Sequence, residues 1–335
     1  MKQKLLSAAL LILIMVFTSS HSAGWGFWAH QRINRAAVFA LPEQMRSFFY
    51  NHIDYITEES VIPDVRKYAV SDKAESNRHY IDLEMLRSSP AQTIPQSFRE
   101  AQSTYHDTLI QAAGLLPWYI DTMTTKLTNA FREKKKQEIL FLAADLAHYT
   151  GDAHMPLHTT INHDGQLTSQ KGIHSFWESY LPEKFGTDYN LHTGDAIYIT
   201  DIRKEIWRII ESSHQLVDTL LRTEKNLRSQ FPANQVFQTD SAGKIMKNKY
   251  NQTVFSLAYA KRFHESLNGM VERQLRLSIM ATANLWYTAW VNAGKPDLGS
   301  LDPAALTKRN RKYYKSEFNL WKKGQLFGIQ TGNEF

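Results

Sequence analysis

The 335-residue chain contains no cysteine. That excludes disulfides, and it excludes lipid anchoring through an N-terminal cysteine. An exported protein of this kind depends on its core and any bound metal for stability, which suits a bacterial envelope better than a eukaryotic secretory route. Strand-like alternation is scarce. Asn77 to Leu83 reads as extended but is too short to seed a sheet. No internal repeat, low-complexity linker or shift in composition divides the chain into two domains. Charge of one sign is not dominant either. The 39 basic and 33 acidic residues leave a net +6, which is compatible with phosphate-bearing substrates without specifying them.

A single apolar run stands out, Leu5 to Phe17, behind Lys2 and Lys4. It has the length of a secretory signal core and is too short for a membrane span. Cleavage after Gly24 places Ser22 and Gly24 at the two positions that require small residues, whereas cleavage after Ala23 would place His21 there. The expected division is a signal peptide over 1–24, a main domain over 25–301, and a basic, aromatic C-terminal tail over 302–335. The mature chain would begin at Trp25, carry about 310 residues and a net charge near +4, and be periplasmic or secreted, but not a lipoprotein. The Lys134–Lys136 run and the tail lysines read as solvated faces. The tail either docks on the domain or stays partly unstructured.

Helical periodicity covers Arg32–Ala40, a short segment from Pro42 or Glu43, Ser97–Ala130, Glu133–Ala153, Ala196–Ser229 and a long stretch from about Asn248 to Asn292. Loops are expected over 72–78, 88–95, 161–172, 183–194 and 294–303. The fold class is therefore a single all-α domain.

The chemistry concentrates in His148-Tyr-Thr-Gly-Asp152-Ala-His154-Met-Pro-Leu-His158. His148 and Asp152 lie one turn apart on one helix face, and His158 follows the helix-breaking proline. Imidazole and carboxylate in this combination suit a divalent ion such as zinc. A second pair with the same spacing, His174 and Glu178, follows a glycine-containing loop. Two such pairs around one loop could hold two ions. Taken alone, Asp64 after Pro63 reads as a helix cap and His79 beside Tyr80 as structural. Trp25, if freed by cleavage, could chelate a metal through its amino nitrogen and carbonyl oxygen, with His30 nearby.

Together these residues resemble the zinc-dependent phospholipase C and P1/S1 nuclease superfamily. The resemblance rests on His-Tyr-Thr-Gly-Asp…Pro-Leu-His, the opening Trp…His and His-Ser-Phe-Trp-Glu. It spans Trp25 to about Tyr180 by motif. It implies an all-α phosphodiesterase with a trinuclear zinc cleft. Carried over by position, Asp64, His79, His148 and Asp152 would hold the first zinc, and His158, His174 and Glu178 the second. Trp25 and His30 would hold the third, with Asp152 bridging. Asp64 and Asp152 are the implied catalytic carboxylates. Three zinc ions against three carboxylates leave a positive field for a phosphodiester. Zinc lowers the pKa of its water toward ~7, supplying hydroxide for in-line attack on phosphorus.

The substrate is less marked. The Trp25–His30 spacing and the gap of fifteen residues from Asp64 to His79 resemble the nuclease branch. Glu178 and the short gap from His158 to His174 resemble the phospholipase branch. The asparagine that nucleases often carry before the second pair is replaced by Lys171-Gly172-Ile173. The first expectation is an exported phospholipase C-like phosphodiesterase, with peripheral membrane contact. The alternative is a nuclease of single-stranded DNA or RNA with 3′-nucleotidase activity. A third reading is a non-catalytic metal-binding envelope protein. Base-stacking aromatics at the cleft would favour the nuclease, and an apolar membrane-facing rim the lipase. His154 points away from Asp152 and is expected near the site without being a ligand. Lys67 reads as solvated, Trp177 as core, and His163 and His192 as loop residues.

Overall fold

The computed structural model describes residues 26–69, 73–87, 89, 92–248, 252–301 and 308–329. The expected signal segment, Trp25 and the ends of the tail lie outside the described residues. Eleven helices carry the architecture: α1 (Phe27–Ala40), α2 (Glu43–Asn51), α3 (Ile53–Glu59), α4 (Ile62–Ala69), α5 (Leu116–Arg132), α6 (Lys136–Asp152), α7 (Ile202–His214), α8 (Val217–Gln230), α9 (Leu257–Ser266), α10 (Met270–Asn292) and α11 (Lys308–Trp321). Shorter turns fill the connections. Among the described residues β-structure is limited to three isolated bridges, so the all-α expectation holds.

The core is built where α1, α5, α6 and α10 meet. Helix α10 is buried nearly all round, as its run of Ala, Leu, Ile and Trp dictates. Its Trp286 ring stacks on Phe49 at 4.9 Å, and its indole N–H donates to the Ala143 carbonyl at 3.0 Å. Helices α5 and α6 form an antiparallel hairpin. The lysine run reads correctly as solvated, and it is also the turn. Lys134 takes φ 55°, its N–H donates to Phe131 O, and the Lys135 N–H donates to Ala130 O. This 6→1 and 5→2 pattern ends α5. The hairpin places the C-terminal end of α6, with His148 and Asp152, against His30 of α1.

Three long periodic stretches are divided by local backbone. Ser97–Ala130 breaks at Gly114, whose φ of 95° ends the Asp107–Ala113 helix. Ala196–Ser229 becomes α7 and α8, separated at Gln215–Leu216. The stretch from Asn248 is helical only from Leu257, where Ser256 Oγ accepts the Tyr259 N–H at 3.1 Å. It breaks again at Asn268 and Gly269, with φ of 49° and 74°. Residues 236–248 and 252–256 instead form an extended arm with bridges Phe237–Phe255, Thr239–Ile245 and Lys247–Thr253. Periodicity counts apolar positions and cannot see these left-handed residues or the capping serine.

Helix α11 docks on the domain. Glu317 accepts two bonds from Arg35 Nη2 at 3.1 and 3.2 Å and one from the Tyr50 hydroxyl at 2.8 Å. Trp321 packs on Phe39 and on His192, which therefore belongs to this seam.

Candidate metal centre

Each candidate ligand sits at the end of an element. His30 is on the first turn of α1 and Asp64 on the first turn of α4. His79 follows the Lys73–Ser76 turn. His148 and Asp152 occupy the last turn of α6, where the helix dipole favours cations. His158 lies in the 3-10 turn Pro156–Thr159. His174 lies in the Ile173–Ser175 turn, and Glu178 in the wide π-turn Phe176–Tyr180 that follows. The second pair thus stands on a wound loop instead of a regular helix, at a type of turn that often marks function. Two glycines make the approach possible. A Cβ on Gly151 would stand 3.3 Å from the His30 ring, and Gly172 takes φ 94° to open the His174 turn.

Around Asp64 the distances are short. His79 Nδ1 lies 2.9 Å from Asp152 Oδ2, 3.2 Å from His148 Nε2 and 3.7 Å from Asp64 Oδ1. His148 Nε2 lies 3.4 Å from Asp152 Oδ2 and 3.9 Å from Asp64 Oδ1. In the second group, His174 Nε2 is 3.2 Å from both His158 Nε2 and Glu178 Oε1, and His158 Nε2 is 3.6 Å from Glu178 Oε2. The other oxygen of Asp152, Oδ1, is 3.6 Å from His30 Nε2 and 3.5 Å from His158 Nδ1. Asp152 therefore faces all three groups. Every described ligand in the implied set is brought into one of them.

These groups fit zinc. Donors bound at 2.0–2.1 Å in a tetrahedron stand about 3.3 Å apart, close to the spacings found here. All eight side chains lie within 5 % exposure, except His174, which is part-buried. Both oxygens of Asp64 and of Glu178, Oδ1 of Asp152, both nitrogens of His30 and Nδ1 of His158 have no hydrogen-bond partner among the described residues. A cluster of buried acceptors without donors needs a cation. Burial pushes His30, His148 and His158 down toward the neutral base, the form that binds metal. Burial pushes Asp64 and Asp152 up, because two uncompensated carboxylates cannot both stay charged in one dry site.

The ligand orientations are set from behind. His148 Nδ1 donates to Ser60 O at 2.8 Å, which leaves Nε2 for metal. His174 Nδ1 donates to His163 O at 2.8 Å, which likewise frees Nε2. Asp164 Oδ1 accepts from the backbone N–H groups of Gly172 and His174. His79 Nε2 faces Glu75 Oε1 at 3.4 Å, so its Nδ1 is the donor to metal. Glu75 is itself held by the Tyr149 hydroxyl, by Arg66 and by Arg78. Against the upward push of burial, bonds from His79 and Tyr149 and the Arg66 charge bring the Glu75 carboxyl down to about 2. Burial holds His79 down to about 4.

Glu75 was not among the sequence candidates, yet Glu75-Ser-Asn-Arg-His79 repeats the four-residue carboxylate–imidazole spacing of the other two pairs. That signal was legible. Lys67 departs from the solvated reading, since it lines the cleft of about 430 Å³ above the imidazoles. The same cleft is lined by Tyr80, Asp82, His163, Asp164, Ser175 and Gln252. Burial, with Glu84 adding to it, raises the Asp82 carboxyl to about 7. His154 stays out of the centre as expected: its Nδ1 donates to Thr150 O and its carbonyl accepts from Gln274. Trp177 is fully buried.

No curated protein matches the chain. A family model described as S1/P1 Nuclease matches residues 25–280, a span that contains every candidate ligand from Trp25 to Glu178. The chain belongs to the S1/P1 nuclease family and is a zinc-dependent hydrolase of phosphoric ester bonds.

Proposed function

We propose that this protein is an exported nuclease of single-stranded nucleic acid working through three zinc ions. The supporting observation is the composition of the cleft wall. An aromatic ring, Tyr80, and a carboxyl, Asp82, border the same space as His79, His158 and His174. A half-buried ring beside the metal ligands suits base stacking, and a carboxyl at about 7 can accept from or donate to a base edge. Leu157 is the one aliphatic side chain among the described residues that line the cleft. The family match also favours the nuclease over the phospholipase C reading.

Asp64, His79, His148 and Asp152 would hold the first ion, and His158, His174 and Glu178 the second. His30, Asp152 and the backbone of Trp25 would hold the third. When bound, zinc polarises the phosphoryl group and acidifies water at neutral pH. The chain's own residues supply the rest. Asp152 offers one oxygen toward His79 and His148 and the other toward His30, so it would serve two of the ions. With zinc bound, Asp64 would be ionised and would share with Asp152 the catalytic carboxylate role. Glu75 Oε1, 3.4 Å from His79 Nε2, would favour the tautomer that leaves Nδ1 to bind metal. Lys67 adds positive charge at the mouth, where a phosphate would enter.

The test is a paired assay of zinc-loaded mature protein on single-stranded DNA and on phosphatidylcholine vesicles. Nucleotide release alone is expected. Diacylglycerol release without nucleotide release overturns the proposal. A version with an extra methionine before Trp25 is expected to lose most activity and one zinc. Full activity with three bound zincs would refute the N-terminal ligand.

A further inference from the structure

The arm of residues 236–248 and 252–256 reaches the cleft through Gln252 and is fixed to the metal-bearing segment. Its base is stacked: the Phe255 ring lies 3.8 Å from that of Phe176 at 16°, and Tyr259 and Phe237 lie within 5.8 Å of it. Phe176 stands between His174 and Glu178 in sequence. The arm closes on itself through Gln238 N–H to Val254 O, Met246 N–H to Gln238 O and Val254 N–H to Met246 O. At its far end Asn248 and Gln252 are clasped. The Asn248 N–H donates to Gln252 O at 2.9 Å, and Asn248 Oδ1 accepts the Gln252 N–H at 3.0 Å. With Oδ1 committed, Asn248 Nδ2 must face the Gln252 side chain, and it donates to Oε1 at 2.9 Å. That orients the Gln252 amide: Oε1 accepts from Asn248, and Nε2 is its donor end. Gln252 borders the cleft together with Tyr80, Asp82 and Lys67.

We infer that Gln252 is a specificity-determining residue, whose amide N–H group donates to a base-edge acceptor of the nucleotide lying beside Tyr80. The inference rests on the nuclease reading. Asp82 and Gln252 then offer a base two polar contacts of different kind in the cleft that Tyr80 also lines. A phosphate contact is the poorer match, because Lys67 already supplies a charged donor where the ligands open to solvent, whereas a neutral, pre-oriented amide discriminates between acceptors.

The experiment uses the full zinc-loaded chain, wild type and Gln252→Ala, on three substrates. These are a single-stranded oligodeoxynucleotide, an abasic strand of equal length and bis(4-nitrophenyl) phosphate. Q252A should lower the ratio of kcat/KM on the oligonucleotide to that on the small diester by roughly tenfold, mainly through KM. The difference between variant and wild type should shrink on the abasic strand. Gln252→Glu keeps the size but replaces donors with a charged acceptor, and should lose at least as much. Equal loss on the oligonucleotide and the small diester would mean that the arm merely supports the fold, and would overturn the inference. An undiminished loss on the abasic strand would overturn it in favour of a backbone contact. A wild type that cleaves the small diester and leaves the oligonucleotide intact removes the nuclease reading, and the inference with it.

Discussion

Helix α1 carries two buried polar clusters, and they are built on opposite principles. Near its C-terminal half, Arg35 meets Glu317 and Tyr50, where every charge has a partner of the other sign or a hydroxyl donor. At its N-terminal end, His30 meets His148 and Asp152, with Asp64 and His79 beyond, and several of the buried carboxylate oxygens and imidazole nitrogens have no hydrogen-bond partner among the described residues. The first cluster is complete as protein and serves to hold α11 down. The second is incomplete as protein, and its missing charge is positive. Burial alone does not separate the two; the balance of donors and acceptors does.

The sharpest way to break this contrast is to neutralise one carboxylate in each. Asp152→Asn should cost several kcal/mol of transition-state stabilisation, about 10³-fold in rate. In the presence of chelator the same variant should melt at a higher temperature than wild type, because burial forces the Asp152 carboxyl to take up a proton that the unfolded chain does not carry, and asparagine escapes that cost. A drop in the melting temperature of the metal-free variant would refute the view that the centre is frustrated without its ions. Glu317→Ala should do the reverse. It strands Arg35 and should cost about 3–5 kcal/mol in denaturant melts while leaving kcat/KM on DNA unchanged below the transition.

His154 gives a pH-dependent version of the comparison, since it is buried but is not a ligand. Burial holds its pKa down to about 4. Its folded-state pKa thus lies below the unfolded value of about 6.5, so the unfolded chain takes up the proton first as pH falls. The neutral residue's contribution is present above pH 6.5 and is lost progressively toward pH 4, about 3 kcal/mol in total. His154→Gln should flatten that part of the acid limb in melts from pH 7 to 4. An unchanged slope would show that another group carries it. The smallest effect is expected from Glu75→Gln, which should weaken zinc binding by about 10–100-fold, read by competition with a chelating dye. Because the Glu75 carboxyl titrates at about 2, this loss should be uniform between pH 5 and 8.

The sequence made the ligands legible and the scaffold partly so. His148, Asp152, His158, His174 and Glu178 were readable because metal chemistry limits both residue type and spacing, and the structure gathers them. The helices of the core were readable from their apolar stripes. The arm of residues 236–248 and 252–256 was not, because Phe237, Val254 and Phe255 fit a helical stripe as well as an extended one, and only the Ser256 cap fixes where the helix begins. Lys67 and Asp82 could not be placed for a different reason. Lining a cleft is a property of the tertiary arrangement and leaves no mark on the local pattern.

The stacking of Phe255 on Phe176 bears on how such a protein can diverge. Among the described residues the arm stacks on the metal segment through Phe255 and Phe176, and it lies between α8 and α9 in the chain. Its length and tip can therefore change while the ligands keep their places. What is hydrolysed is then open to revision in lineages of this chain, whereas the means of hydrolysis is not.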